Sequence, residues 1–237
     1  MRTIVLTDIH GCYKQLLQLL KRIQFSRKKD KIIFLGDLMD RGENSYSCYE
    51  YFLKLKEELK ENCILIMGNH EDMLIRSAKG TFSDTRLWMY NGAESTLSSF
   101  EKFGKSWQDC VKFIEENFIN YYKDENGILF SHAGLFDKDR INDVESLIWN
   151  RTVSEGFTYY DGLQIIGHTP TKEPYFIEGE EDIFVEVKPV LLEYGKRKKL
   201  PKKGVINIDT ACVFGYWLTA MCIYDDGTYK LFKSENI

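Results

Sequence analysis

Five short aliphatic runs, residues 2–7 (RTIVLT), 31–35 (KIIFL), 63–67 (CILIM), 127–130 (GILF) and 163–166 (LQII), each give way directly to a polar motif that contains glycine. Runs of this length, rich in Ile, Leu and Val, read as buried strands. Between the first two, Tyr13 to Gln24 carries Leu16, Leu17, Leu20 and Ile23 at helical spacing, and Ser45 to Leu59 after Asn44 predicts a second, capped helix. The opening third therefore reads βαβαβ. Beyond it the pattern is mainly helical from Glu71 to about Tyr122 and β-rich from Gly127 onward, with closing strands over 204–209, 218–224 and 228–233 and a hairpin turn at Asp226-Gly227. An α/β first half and an antiparallel-looking second half predict a mixed sheet, or two packed sheets, with helices outside.

Composition bounds the function class. A chain of 237 residues with 43% hydrophobic content can bury the core of one large domain. A net charge of -4 argues against a dedicated duplex-nucleic-acid binder, so no stable nucleic-acid partner is expected. The six cysteines form no CxxC pair, and no signal peptide precedes the first strand, which points to a reducing cytosol. No stretch approaches the ~20 apolar residues of a membrane helix. The run KRKKLPKK, residues 196–203, holds six basic residues in eight and reads as a solvated turn, with contact to an acidic substrate as the alternative.

The chemistry lies in the motifs. All four histidines, His10, His70, His132 and His168, sit in them: Asp8-Ile9-His10-Gly11, Gly68-Asn69-His70-Glu71, Ser131-His132-Ala133-Gly134 and Gly167-His168-Thr169-Pro170. A further motif, Gly36-Asp37-Leu38-Met39-Asp40-Arg41-Gly42, puts two carboxylates and a guanidinium in one turn, a costly choice for a purely structural loop. Ligands of open α/β sheets bind beyond the carboxyl ends of the strands, so neighbouring strands would let these loops converge. Imidazole and carboxylate are ordinary ligands of catalytic divalent ions. Asp8, His10, Asp37, Asn69, His132 and His168 exceed the three protein ligands of a single catalytic site, and a carboxylate such as Asp37 can bridge two ions.

In this order and at these separations, DIHG, GDLMDRG, GNHE, SHAG and GHTP resemble the calcineurin-like metallophosphoesterases, and within them the phosphoprotein phosphatase branch. The stretches DIHGCY, KKDKIIFLGDLMDRGENS, GNHEDMLI, IWNR and IDTACVFGYWLTA are similar to the compact bacteriophage lambda-type Ser/Thr protein phosphatases. The resemblance implies a four-layer αββα fold, α/β (α+β) in class, with two packed mixed β-sheets flanked by helices, in one domain over residues 1–237. It assigns Asp8, His10 and Asp37 to one metal ion and Asp37, Asn69, His132 and His168 to the other. His70, paired with Asp40, becomes the general acid, and Arg41 and Arg151, with Asn69, hold the phosphate. Two divalent ions are implied, manganese first, with iron or zinc as alternatives.

The expected activity is hydrolysis of phosphate monoesters of serine and threonine, or tyrosine, in proteins and peptides, by direct attack of a metal-bridging hydroxide. The alternatives are a symmetrical dinucleoside tetraphosphate hydrolase, which resembles the chain in DIHGCY, and a non-catalytic phosphoprotein-binding module. A nuclease is disfavoured by the acidic balance and the lack of an aromatic and basic track. The chain departs from the compact phage-type pattern in residues 171–207, longer than that fold needs. This stretch is expected to insert a hairpin at about 175–203, near the rim of the site, where it would bias substrate choice.

Overall fold

Alternation along the first three strands sets up the layers. Ile4, Leu6, Ile32, Phe34 and Leu65 enter one apolar cluster, while Val5, Ile33, Leu35 and Ile66 enter another, because successive side chains of extended backbone point to opposite faces. Both faces are covered, which is why these runs are continuously apolar. The structure, a computed structural model, describes residues 2–180 and 187–235.

In the first sheet, β1 (Arg2–Leu6), β2 (Asp30–Phe34), β3 (Cys63–Ile66) and β4 (Phe118–Ile119) run parallel. The antiparallel strands β10 (Arg197–Lys199), β12 (Thr219–Ile223) and β13 (Thr228–Lys233) extend it, in the order β10-β13-β12-β1-β2-β3-β4. The second sheet comprises β5 (Tyr121–Lys123), β6 (Leu129–Ser131), β7 (Leu163–Ile166), β8 (Tyr175–Ile177), β9 (Val190–Leu191) and β11 (Gly204–Asn207), in the order β5-β6-β7-β11-β8-β9. Its β6, β7 and β11 are parallel to one another. Seven helices occur among the described residues: α1 (Tyr13–Arg22), α2 (Ser45–Leu59), α3 (Asn69–Lys79), α4 (Phe82–Tyr90), α5 (Ala93–Lys102), α6 (Asp109–Asn117) and α7 (Val144–Trp149).

The clusters define four layers, αββα. Leu16, Leu19, Phe52, Leu55, Phe100 and Phe113 pack α1, α2, α5 and α6 onto the outer face of the first sheet. Phe130, Ile165 and Ile206 of the second sheet meet Val5, Ile33 and Ile66 of the first in the middle layer. On the far side, Leu147 and Ile148 of α7 cover Leu129. No helix among the described residues is long and apolar enough to cross a membrane.

Three local expectations are corrected. Asn44 stands at the N-cap of α2, but its side chain makes no capping hydrogen bond. The short strands β4 and β5 interrupt the region read as helical to Tyr122, and α7 interrupts the β-rich half. All three elements are six residues or fewer and owe their form to the neighbours they meet rather than to a local period. The long 171–207 stretch supplies β8 and β9, paired antiparallel, and then β10 and β11; residues 181–186 of the expected hairpin lie outside the described residues.

The basic run does not reach the rim of the site. Lys199 of β10 faces Thr228, Tyr229 faces Ile223 and Ile223 faces Thr3, so β10 lies at the amino end of β1, away from the end that carries DIHG. Its charges are largely paired: Lys196 and Lys198 with Glu193, Arg197 with Asp226, and Lys203 with Asp161. Lysine and arginine on an edge strand also discourage pairing with another chain. Ile165 has no exposed surface and sits between the sheets, so Ile165→Ala should cost about 2–5 kcal/mol in urea-monitored unfolding, against under 1 kcal/mol for a tolerated surface change.

Candidate metal centre

The carboxyl ends of β1, β2, β3, β6 and β7 deliver the five motifs to one place. The loops are tied together through the backbone: Asp8 N–H donates to Gly36 O (3.0 Å), His10 N–H to Asp37 O (2.9 Å) and Gly11 N–H to Leu38 O (3.0 Å). The sheets are joined across the site as well, since His168 N–H donates to Asp8 Oδ2 (3.1 Å). Asp8, His10, Asp37, Asp40, Arg41, His168 and Ala211 all have positive φ, between 44° and 71°. Such backbone costs on the order of 1–3 kcal/mol per residue and persists only where the surroundings hold it. At Gly68 a Cβ would run into the Asp37 side chain and backbone, so that approach requires glycine.

Asp37 lies at the centre. Its Oδ2 is 3.4 Å from His10 Nε2 and 3.4 Å from His132 Nε2. His132 Nε2 also lies 3.0 Å from Asn69 Oδ1 and 3.1 Å from His168 Nδ1, which is itself 3.0 Å from Asn69 Oδ1. Two groups could each hold a metal ion, His10 with Asp37 and His70, and Asp37 with His132 and His168. They share Asp37, the arrangement of a binuclear centre. Asn69 adjoins the second group, whereas Asp8 is engaged by Thr7 and the His168 amide at its edge.

The donor set suits divalent ions. His10 Nδ1 lies 2.7 Å from Met39 O and His132 Nδ1 2.8 Å from Leu35 O. A carbonyl only accepts, so each Nδ1 carries a proton, and each ring, when neutral, turns a bare Nε2 lone pair inward. Those lone pairs face carboxylate and amide oxygens, which are also acceptors. Acceptors packed against acceptors, out of contact with water, require a cation between them.

Without ions, protons and a guanidinium take up part of that demand. Burial acts to lower the His132 imidazole, but Asp37, Asp8 and Glu71 outweigh it and raise its pKa to about 9. Burial and the neighbouring His132 charge push His168 down to about 3, and burial with His70 holds His10 well below the usual histidine range. Burial acts to raise Asp37, yet His132, His70 and His10 together bring it well below the usual carboxylate value. Arg41 Nη1 approaches His10 Nε2 at 2.6 Å.

His70 differs from the other histidines. Its Nδ1 lies 2.7 Å from Asp40 Oδ2, and that carboxylate also accepts from Trp88 Nε1 (2.9 Å) and Thr96 Oγ1 (2.6 Å, at Oδ1). His70 Nε2 is buried with no hydrogen-bond partner, 3.9 Å from Asp37 Oδ2. Burial would lower this imidazole, but Asp37 and Asp40 raise it above its ordinary value. Arg151 stands further out, its Nη1 3.4 Å from Thr169 Oγ1 next to His168.

Several residues of the site were not singled out from the sequence. Glu71 is fully buried and accepts from the N–H groups of Asp37 (2.8 Å), Leu38 (2.8 Å) and Gly68 (3.0 Å), binding the second motif to the third. Its signal was legible, a glutamate three residues after the Gly68 N-cap of α3. Thr96 and Trp88 left no such trace, because they reach Asp40 from 56 and 48 residues away. Asp209, beyond β11, is buried beside Asp8, where burial and Asp8 hold its carboxyl well above the ordinary range.

Comparison with known proteins agrees with this geometry. The profile described as "Calcineurin-like phosphoesterase" matches residues 1–195. Among curated proteins, the asymmetrical bis(5'-nucleosyl)-tetraphosphatase of Bacillus subtilis (strain 168) is 27% identical over 91% of this chain and 88% of its own length. The symmetrical bis(5'-nucleosyl)-tetraphosphatase of Buchnera aphidicola subsp. Acyrthosiphon pisum (strain APS) is 30% identical over 60% of this chain and 47% of its own. Among solved structures, a metallophosphoesterase from Sphaerobacter thermophilus superposes with a TM-score of 0.64 at 18% identity, covering 100% of this chain and 90% of that one. A putative diadenosine tetraphosphatase gives 0.60 at 18% identity, covering 100% and 95%.

These relatives correct one expectation. Curated proteins matched by sequence over nine-tenths of the chain are named as tetraphosphatases, while protein phosphatases appear among the solved structures at 13–15% identity, a likeness of fold alone. The placement in the phosphoprotein phosphatase branch with the lambda-type enzymes therefore does not stand. The motifs behind that placement build the ion cluster, which phosphoesterases of different substrates need alike.

Ion binding should release a proton, because His132 must give up the one it carries below its pKa of about 9. Affinity for a divalent ion measured by titration should therefore rise about tenfold per pH unit from about pH 6 towards pH 9 and then level off. An affinity independent of pH between about 6 and 8 would contradict this assignment of the proton.

Proposed function

The chain belongs to the calcineurin-like phosphoesterase family, and from that premise we propose that this metal-dependent phosphoesterase hydrolyses dinucleoside polyphosphates such as diadenosine tetraphosphate. The observation that carries the substrate class is the match, over nine-tenths of the chain, to proteins named bis(5'-nucleosyl)-tetraphosphatases. Charge supports it too: a tetraphosphate bridge is strongly anionic, and the site offers Arg41 and Arg151 beside a cluster that demands cations.

In this reading Asp8, His10 and Asp37 hold one ion, and Asp37, Asn69, His132 and His168 hold the other. Bound there, divalent ions supply Lewis acidity to phosphoryl oxygens and lower the pKa of water towards neutrality. The donors are nitrogen and oxygen without a thiolate, a set that suits manganese, with iron and zinc also compatible. The six cysteines of the chain are all free thiols, in keeping with a reducing cytosol.

The residues divide the remaining work. Arg41 and Arg151 bind phosphate oxygens and orient the scissile phosphorus, each with a planar fork of donors. His70 holds a proton at Nε2, aimed into the site, and gives it to the leaving oxygen. Asp40, itself held by Trp88 and Thr96, fixes the ring and favours its charged form. Leaving phosphate is a weaker base than a serine alkoxide, so cleaving an anhydride asks less of this proton than cleaving a phosphoserine ester does.

Turnover of diadenosine tetraphosphate and of a phosphoserine peptide by the ion-loaded enzyme tests the substrate class. The kcat/KM for the dinucleotide should be greater by at least about tenfold, and the reverse order would overturn the proposal. Product analysis then separates symmetrical cleavage, giving two ADP, from asymmetrical cleavage, giving AMP and ATP. His70→Asn should lower kcat on a phosphomonoester by about 10²- to 10⁴-fold while ion content is retained. Loss of an ion in that variant would make His70 a ligand instead of a proton donor.

A further inference from the structure

Beyond β11 the chain makes a short 3₁₀ turn, Cys212–Phe214, whose end projects a phenyl ring into solvent. Phe214 is 58% exposed, yet it lines the same small cleft as Asp8, His10, Arg41 and His168. Isolated exposed aromatics are ordinary on a protein surface. This one is held in place by a rigid turn. Ala211 N–H donates to Asp209 Oδ1 (3.0 Å), Phe214 N–H to Ala211 O (3.0 Å) and Gly215 N–H to Cys212 O (3.1 Å). Ala211 (φ 55°) and Gly215 (φ 91°) flank the turn in left-handed backbone, the former a strained choice for a residue with a side chain.

Arg41 links this ring to the ion cluster. Its guanidinium carbon lies 5.6 Å from the Phe214 ring centroid, while its Nη1 lies 2.6 Å from His10 Nε2. A phosphate bound by that guanidinium therefore has an uncovered aromatic surface beside it. In a nucleoside 5'-phosphate the base hangs one ribose away from the phosphorus. Every base presents a π-face, and stacking on an aromatic side chain is a sequence-tolerant way to hold it.

We propose that Phe214 is the platform on which a nucleobase of the substrate stacks, so that Arg41 and Phe214 together read a phosphate joined to a nucleoside. This rests on the dinucleoside polyphosphate reading and adds to it a residue that selects for the base. The competing role for Phe214 is to position Arg41 through the cation–π contact, which would serve phosphates with or without a base.

Calorimetric titration of the ion-loaded enzyme with ADP and with pyrophosphate separates the two roles. The wild type should bind ADP about tenfold more tightly than pyrophosphate. Phe214→Ala should lose that advantage while its pyrophosphate affinity stays within about threefold of wild type, Phe214→Trp should restore it, and Phe214→Leu, apolar without a π-face, should not. Equal weakening of both ligands in Phe214→Ala would make the residue a positioner of Arg41 and overturn the proposal, as would a wild type that binds the two alike. Because the readout is binding, it is independent of the substrate reading. An enzyme that leaves diadenosine tetraphosphate intact but discriminates ADP through Phe214 would refute the substrate and keep the platform.

Discussion

Buried lone pairs facing one another are the constraint on which the rest of this structure depends. His10, His132 and Asp37 are almost completely shielded from water, and the backbone carbonyls of Met39 and Leu35 orient the imidazoles so that their Nε2 atoms, bare once any second proton leaves, meet the Asp37 carboxylate. An apolar surrounding makes that arrangement costly until a cation enters it. The αββα layering answers the demand geometrically, since two sheets with parallel central strands present several strand ends, and therefore several ligands, at one edge.

Holding those ligands in place requires strain, and the structure distributes it. Seven non-glycine residues around the cluster have positive φ, and the compensating contacts are backbone bonds between loops together with Glu71, whose carboxylate collects three N–H groups. Burial and the nearby Asp37 raise the Glu71 carboxyl to about 7, a sign that it too belongs to the charge balance of the cluster. His70 is the exception among the histidines: anchored by Asp40, which Trp88 and Thr96 hold in turn, it directs an unpartnered nitrogen inward.

Much of the fold was legible because its strands alternate between two buried faces and end in residues that ordinary loops do not use. The helix over Ser45–Leu59 and the strand over Thr228–Lys233 were predicted at their observed bounds, and the motif residues converge as the topology of parallel strands requires. What escaped prediction depends on distant neighbours. The strands β4 and β5 exist because β3 and β6 offer them edges, and Thr96 and Trp88 matter only through Asp40. The substrate class was legible only as the alternative reading, for a different reason: residues such as Asp37 and His132 answer to the ions, which phosphoesterases of different substrates need alike.

Elemental analysis of the purified protein and of Asp37→Ala tests the central claim most directly, because Asp37 is the one side chain shared by both ligand groups. The account predicts about two divalent ions per chain in the wild type and fewer than about one in the variant. A wild type that holds a single ion, or a variant that keeps both, would contradict it.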